Sequence, residues 1–187
     1  MKSIVYLFCF ALFIFSTSSF SQETKVSINK TSNGFQLIKN NEPYYIKGAG
    51  AKSNFKKVFE SGANSIRIWS TNKSELLDSA YKYDLSVCLG IWVAQERNGF
   101  NYNDEYNVRS QIELIKKEIL RLKDHPSILL WGIGNEVDLQ YSNFKVWETI
   151  EEIAKFIKKV DPNHPTATVI AGLDPSKVFM IKKYCPS

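Results

Sequence analysis

Apolar and polar positions along the chain fall into two alternating rhythms. Tyr106 to Lys123 places Val108, Ile112, Ile115, Ile119 and Leu122 on one face with charge opposite, and Asn143 to Val160 does the same with Val146, Ile150, Ile153, Ile157 and Val160. That period of 3.6 residues predicts two long amphipathic helices. Shorter helices are predicted near Asn54 to Glu60, Lys73 to Tyr83 and from about Pro175. Between them lie the apolar runs PYYIKGAG, NSIRIW, LSVCLGIWV, SILLWGIGNE and TATVIAG. Runs that are continuous rather than alternating suit parallel strands covered on both faces. Strand then helix, five times over, predicts a parallel α/β sheet. Ahead of it, Val26 to Ile28 and Phe35 to Ile38 flank Asn33-Gly34, a hairpin signal because both residues tolerate positive φ.

Such a sheet is either open and doubly wound or part of a closed (β/α)8 barrel. GAGAKSNF after the first strand lacks the third glycine of a phosphate loop, and no acidic residue ends the second strand, which argues against a dinucleotide fold. The placement of polar and aromatic residues points to the barrel. Arg67 and Trp69 end the second strand, Trp92 the third, and Asn135 with Glu136 the fourth. In a barrel all of these open on one face, where active sites are built. His125 and His164 each precede a proline between a helix and the next strand, and read as turn formers on the opposite face. The fold class expected is therefore α/β, a partial TIM barrel of about five of its eight strand–helix units, preceded by a short β-hairpin.

The first twenty-one residues differ from the rest. Lys2 precedes an unbroken apolar run from Ile4 to Phe15, and the stretch closes on Ser19, Phe20 and Ser21. That run is too short for a bilayer, which takes about 20 residues, and small residues before Gln22 suit a signal peptidase. The organisation expected is a signal peptide at 1–21, a hairpin at 22–43 and the barrel segment at 44–187, in a secreted or periplasmic protein not held in a membrane once the signal is cleaved. Composition adds little: 44% hydrophobic and 23% charged residues are ordinary for a globular chain. The net charge of +5 is mild, and Lys116, Lys117, Arg121 and Lys123 sit among acidic neighbours on a helix face. A solvated surface is expected there rather than a nucleic-acid footprint. Cys88 and Cys185 are too few for a disulfide framework, and Cys88 reads as a buried small hydrophobe. No His-Glu-x-x-His or Cys-x-x-Cys occurs, so no metal and no cofactor is expected.

Glu136 is the residue on which chemistry is expected to turn. It follows Ile128 to Ile133 and two glycines, so its carboxyl should emerge at the mouth of the strands. Half-buried among Trp131, Trp92 and Trp69, it would be disfavoured as an anion and suited to act as a general acid. A solvated Glu on a plain strand-ending turn is the alternative.

From Gly34 onward the chain resembles the catalytic barrel of retaining glycoside hydrolases, most closely glycoside hydrolase family 2. The matching segments are FQLIKNNEPYYIKGAG, ESGANSIRIWS, LLDSAYKYDLSVCLGIWV, KDHPSILLWGIGNEVD and DPNHPTATVI. The resemblance implies that Glu136 is the proton donor and later general base, that Asn135 holds the sugar 2-hydroxyl, and that Arg67 steadies the nucleophile carboxylate. Trp69 and Trp92 either stack on sugar faces or pack as core. The substrate implied is an oligosaccharide or β-glycoside. The family places its nucleophile, a Glu, at the end of a seventh strand, and five strands are counted here. Asp138, Glu96, Asp104 and Glu105 read as loop caps or surface charges rather than substitutes, since retaining hydrolysis sets two carboxyls about 5 to 5.5 Å apart. The chain is thus expected to be a C-terminally truncated glycosidase barrel. The alternatives are a carbohydrate-binding protein without turnover, or a structural protein that completes its barrel by assembly.

Overall fold

The computed structural model describes residues 24–187; the signal-peptide reading lies outside them. Strands β1 (Val26–Thr31), β2 (Gly34–Lys39) and β3 (Glu42–Pro43) form an antiparallel sheet. Strands β4 (Gly48–Gly50), β5 (Ser65–Ile68), β6 (Ser86–Ile91), β7 (Ile128–Ile133) and β8 (Thr166–Thr168) form a second sheet, parallel throughout and in chain order. Between and after them run α1 (Phe55–Glu60), α2 (Glu75–Lys82), α3 (Glu105–Leu122), α4 (Lys145–Val160) and α5 (Pro175–Tyr184), with a 3-10 turn at Glu96–Asn98. This is five consecutive strand–helix units of a (β/α) barrel.

The predicted helices appear within two residues of the expected bounds. Ile112, Ile115, Ile119 and Leu122 of α3 and Val146, Ile150, Ile153 and Ile157 of α4 are buried, as their spacing requires. They pack on the convex side of the sheet against Ile66, Ile68, Val87, Leu89, Ile91, Trp131 and Ile133, and this layer is the core. The concave side, which would be the barrel interior, stays partly open. Arg67, Cys88 and Leu130 align across β5, β6 and β7, and Arg67 and Cys88 line a cavity of about 290 Å3 with Ile46, Ala49 and Leu129. Cys88, read as a buried small hydrophobe, is therefore not fully buried. It is half-buried on the concave face, where desolvation pushes its thiol pKa up against the opposing pull of Arg67.

The hairpin differs from expectation in its turn. Thr31 pairs with Gly34, so Ser32 and Asn33 are the loop, and the glycine alone takes positive φ, at 125°. A second two-residue turn, unanticipated, joins β2 to β3: Lys39 pairs with Glu42, and Asn40 and Asn41 lie at φ 51° and 69°, the type I′ geometry that matches strand twist. This sheet closes off the N-terminal ends of the parallel strands. Val26 donates its backbone N–H to Asn163 O (2.7 Å), Thr24 Oγ1 to Pro126 O (2.9 Å), Lys39 Nζ to Ser86 Oγ (2.7 Å) and Tyr44 OH to Asn64 O (2.8 Å). His125 and His164 lie at the same end, as turn formers should. The His125 ring nitrogen Nδ1 accepts from Ser127 N–H, and His164 Nδ1 contacts the Asp161 carboxylate at 2.9 Å. The C-terminal ends of the strands are left as the accessible mouth.

Candidate functional site

The mouth is dominated by the bend that follows β7. Gly134 turns the chain at φ 75°, and a Cβ there would lie 2.9 Å from Val137 Cγ1, so both the backbone angle and the space demand glycine. Two residues later Glu136 is itself left-handed, at φ 50°, a conformation that costs a non-glycine residue about 1–2 kcal/mol and that clusters at functional sites. Hydrogen bonds from neighbouring loops hold it there. Glu136 N–H donates to Val169 O, just beyond β8, at 2.7 Å, and the Asn135 carbonyl accepts from Gln95 Nε2, just beyond β6.

Arg67 Nη2 donates to Asn135 Oδ1 at 2.7 Å. Arginine can only donate, so the amide oxygen must face it. The Asn135 Nδ2 group is thereby turned the other way, as a free donor among the described residues. No carboxylate among the described residues pairs with Arg67. The Glu136 side chain is 43% exposed, and its nearest charged neighbour is Arg97, with Nη1 at 3.8 Å from Oε2.

The aromatic surround is not the one expected. Trp131 is fully buried on the convex face, where its Nε1–H donates to the Asp161 carboxylate at 2.7 Å, far from the mouth. Trp69 is half-buried against the end of β4. A Cβ on Gly50 would meet its ring at 2.4 Å, and the Arg67 and Lys52 cations stand 5.3 and 5.7 Å from its centroid. Trp92 is 50% exposed and lines a shallow pocket with Gln95, Asn98 and Phe100. Arg67, Trp69, Asn135 and Glu136 thus share the mouth, with Trp92 at its rim and Trp131 excluded.

The other carboxylates have structural partners. Asp138 is buried, accepts from Ala171 N–H at 2.8 Å and pairs with Lys177 Nζ at 2.6 Å, which ties the bend to the loop before α5 and to the first turn of that helix. Glu96 accepts from the backbone N–H groups of Ser142 and Asn143 at 2.7 and 2.9 Å. Asp104 caps α3 by accepting from Asn107 N–H, and Glu105 begins that helix. Gln95, Arg97 and Lys177 were not anticipated. The available signal was the polar cluster Gln95-Glu96-Arg97-Asn98 at the end of an apolar run. Among the described residues there is no group of three or more His, Cys, Asp or Glu that could hold a metal ion, and no helix long and apolar enough to cross a membrane.

The family model for the TIM barrel domain of glycosyl hydrolases family 2 matches residues 83–184, more than half of the chain, including Gln95, Arg97, Asn135 and Glu136. The chain belongs to this family. A β-galactosidase of Leuconostoc mesenteroides subsp. mesenteroides is 23% identical over 140 residues, which is 70% of this chain and 12% of that protein. Among solved structures, a glycosyl hydrolase family 2 member from Bacteroides cellulosilyticus superposes with a TM-score of 0.64 at 19% identity, covering 85% of this chain and 22% of that one. A β-glucuronidase of Bifidobacterium dentium, solved with coumarin-3-O-glucuronide, gives 0.61 at 18% identity, covering 82% and 27%. These likenesses show the barrel fold. The chain spans about an eighth to a quarter of the length of the proteins it matches.

Proposed function

We propose that this family 2 barrel segment carries the acid/base half of a retaining O-glycoside hydrolase, with Glu136 as proton donor and later general base. The observation that carries the reading is the Arg67–Asn135–Glu136 arrangement at the strand mouth. Asn135 has its oxygen occupied by Arg67 and its Nδ2 free, as a group should be that donates to a sugar hydroxyl. Hydrogen bonds of that kind to the 2-hydroxyl strengthen as the oxocarbenium-like transition state forms. Beside it, Glu136 has an accessible carboxyl on a strained, doubly held backbone, suited to protonating a leaving oxygen and then deprotonating water. Arg67 keeps N–H groups available for a second carboxylate, which is the nucleophile in a retaining reaction. Trp69 and Trp92 offer apolar faces to a sugar ring. The substrate class is an oligosaccharide or β-glycoside, and the apolar leader before Gln22 supports export to a periplasmic or extracellular location.

A second reading has its own support. β4 and β8 are the edges of the five-stranded sheet, and the concave face leaves Ile46 56% exposed, so a barrel completed by association would also bury what is open here.

N-bromoacetyl β-D-glycosylamines test the first reading without requiring a nucleophile. The enzyme carboxylate attacks the CH2Br carbon, an ester C–O bond forms and bromide leaves. The expected result is one adduct on Glu136, mapped by mass spectrometry, blocked by excess oligosaccharide and absent in Glu136→Gln. Adducts scattered over surface carboxylates, or none, would overturn the assignment.

A further inference from the structure

We propose that Gln95 is a positioning residue for the acid: its carboxamide locks the Asn135–Glu136 peptide in the orientation that keeps Glu136 left-handed and aimed into the mouth. The inference rests on the reading of Glu136 as the acid and names a residue through which that group is held.

The argument begins with a single peptide plane. Its carbonyl, Asn135 O, accepts from Gln95 Nε2, and its N–H, on Glu136, donates to Val169 O at 2.7 Å. One plane is therefore held at both ends by two different loops. A flip of that plane is the low-barrier way to carry φ of the following residue from positive to negative, since it changes only ψ of Asn135 and φ of Glu136. Such a flip would relieve the strain at Glu136 and release the backbone on which its side chain is mounted, and the two bonds oppose it.

Gln95 is built for this task. It is 2% exposed, in a position where an apolar side chain would avoid the cost of burying a carboxamide. Its Oε1 accepts from Arg97 Nε at 3.0 Å and Asn98 Nδ2 at 2.9 Å. Arg97 can only donate, so Oε1 must face it and Nε2 must face Asn135 O. The residue before it is fixed as well. Ala94 N–H donates to Gln111 Oε1 at 2.6 Å, and Ala94 O accepts from Tyr102 OH. Helix α3 thus anchors the segment, the segment fixes the amide, and the amide fixes the peptide. The same bond places Arg97, through its Nε, beside the Glu136 carboxyl. Glu96 holds the far end of the acid loop at Ser142 and Asn143, so consecutive side chains grip both ends of residues 135–143.

The test uses the full chain and the variants Gln95→Met and Gln95→Glu. The first is of similar size and makes neither bond. The second keeps an acceptor for Arg97 but turns an acceptor toward Asn135 O. In both, exchange of the Glu136 amide proton should quicken about tenfold or more, the factor that loss of one buried hydrogen bond implies, and φ-sensitive NMR couplings at Glu136 should leave the left-handed range. Amides of Leu89 and Trp131 should keep their rates, which a merely structural role would not allow. Alkylation of Glu136 by the N-bromoacetyl glycosylamine should slow at least tenfold. Unchanged φ and exchange at Glu136, or exchange that quickens equally across the sheet, would overturn the proposal. Should neither variant fold, the wild-type chain decides: the Gln95 side-chain amide must exchange slowly and show coupling across its hydrogen bond to Asn135, and a fast, uncoupled amide refutes it. A wild-type chain that takes no label on Glu136 sinks the acid assignment, while the exchange and coupling results still decide the role of Gln95.

Discussion

At the scale of single residues, the site depends on three consecutive positions with unusual demands. Gly134 supplies a positive φ and space, Asn135 an oriented amide, and Glu136 a carboxyl on a strained backbone. Gly134→Ala is expected to cost at least about 1 kcal/mol from the backbone angle alone, plus whatever the 2.9 Å approach to Val137 Cγ1 adds. A lowered urea midpoint with unchanged slope would register it, and an unchanged midpoint would show that the bend is not held as described. The two glycines and the Asn-Glu pair after an apolar run were legible as a strand end with a carboxyl at the mouth. The direction of Trp131 was not. A run buried on both faces carries no alternation to show which side chains point outward, and the β6–β7 pairing shifts register at Val87/Cys88. Trp131 consequently lies under α4 with its indole N–H on Asp161, while the neighbour that does approach Glu136 is Arg97, reached through a 3-10 turn with no periodicity of its own.

At the scale of elements, α3 and α4 were readable nearly to the residue because one apolar stripe and one charged face define each. β4 and β8 were not. PYYIKGAG and TATVIAG pair over only three residues each, since both strands are edges with a neighbour on one side. Asp104 supplies the N-cap of α3, and Asp104→Ala should cost about 1 kcal/mol, a fall in Tm of about 2–4 °C for a chain of this size in a thermal melt. The last helix supports a pH prediction. Burial, with Glu151 nearby, raises the Cys185 thiol from 9.0 to about 11. Below pH 9 the thiol is protonated in folded and unfolded chains alike and its contribution is intact. Between pH 9 and 11 the unfolded chain sheds the proton first, so stability falls as pH rises. Partial exposure limits the loss to about 1–2 kcal/mol. Urea midpoints of the wild type should decline over this window more steeply than those of Cys185→Ala, and parallel declines would assign the loss elsewhere.

At the scale of the whole molecule, the structure is complete on one side and open on the other. The convex face is sealed by helices and the N-terminal end by the β1–β3 sheet. The concave face, by contrast, offers Ile46, Ala49, Cys88 and Leu130 together with two unpaired strand edges. A closed barrel has no edges, because each strand finds neighbours on both sides, whereas five parallel strands leave backbone N–H and C=O groups of β4 and β8 facing outward. Apolar surface beside a free edge promotes pairing with another chain. The 187-residue chain is therefore expected to associate with rising concentration, and sedimentation velocity between about 1 and 100 µM should show the mean mass increase. Placing a charge on the open surface should oppose this by making the buried face costly: Ile46→Lys and Ala167→Lys, one near each edge, should shift association to higher concentration without lowering the urea midpoint of the monomer. Ile28→Lys, on the separate antiparallel hairpin, serves as the control and should leave the association unchanged. A wild-type chain that stays monomeric across the range and binds no apolar dye would show that the open face is satisfied within one chain, and the association reading would fall while the chemistry assigned to the mouth stood.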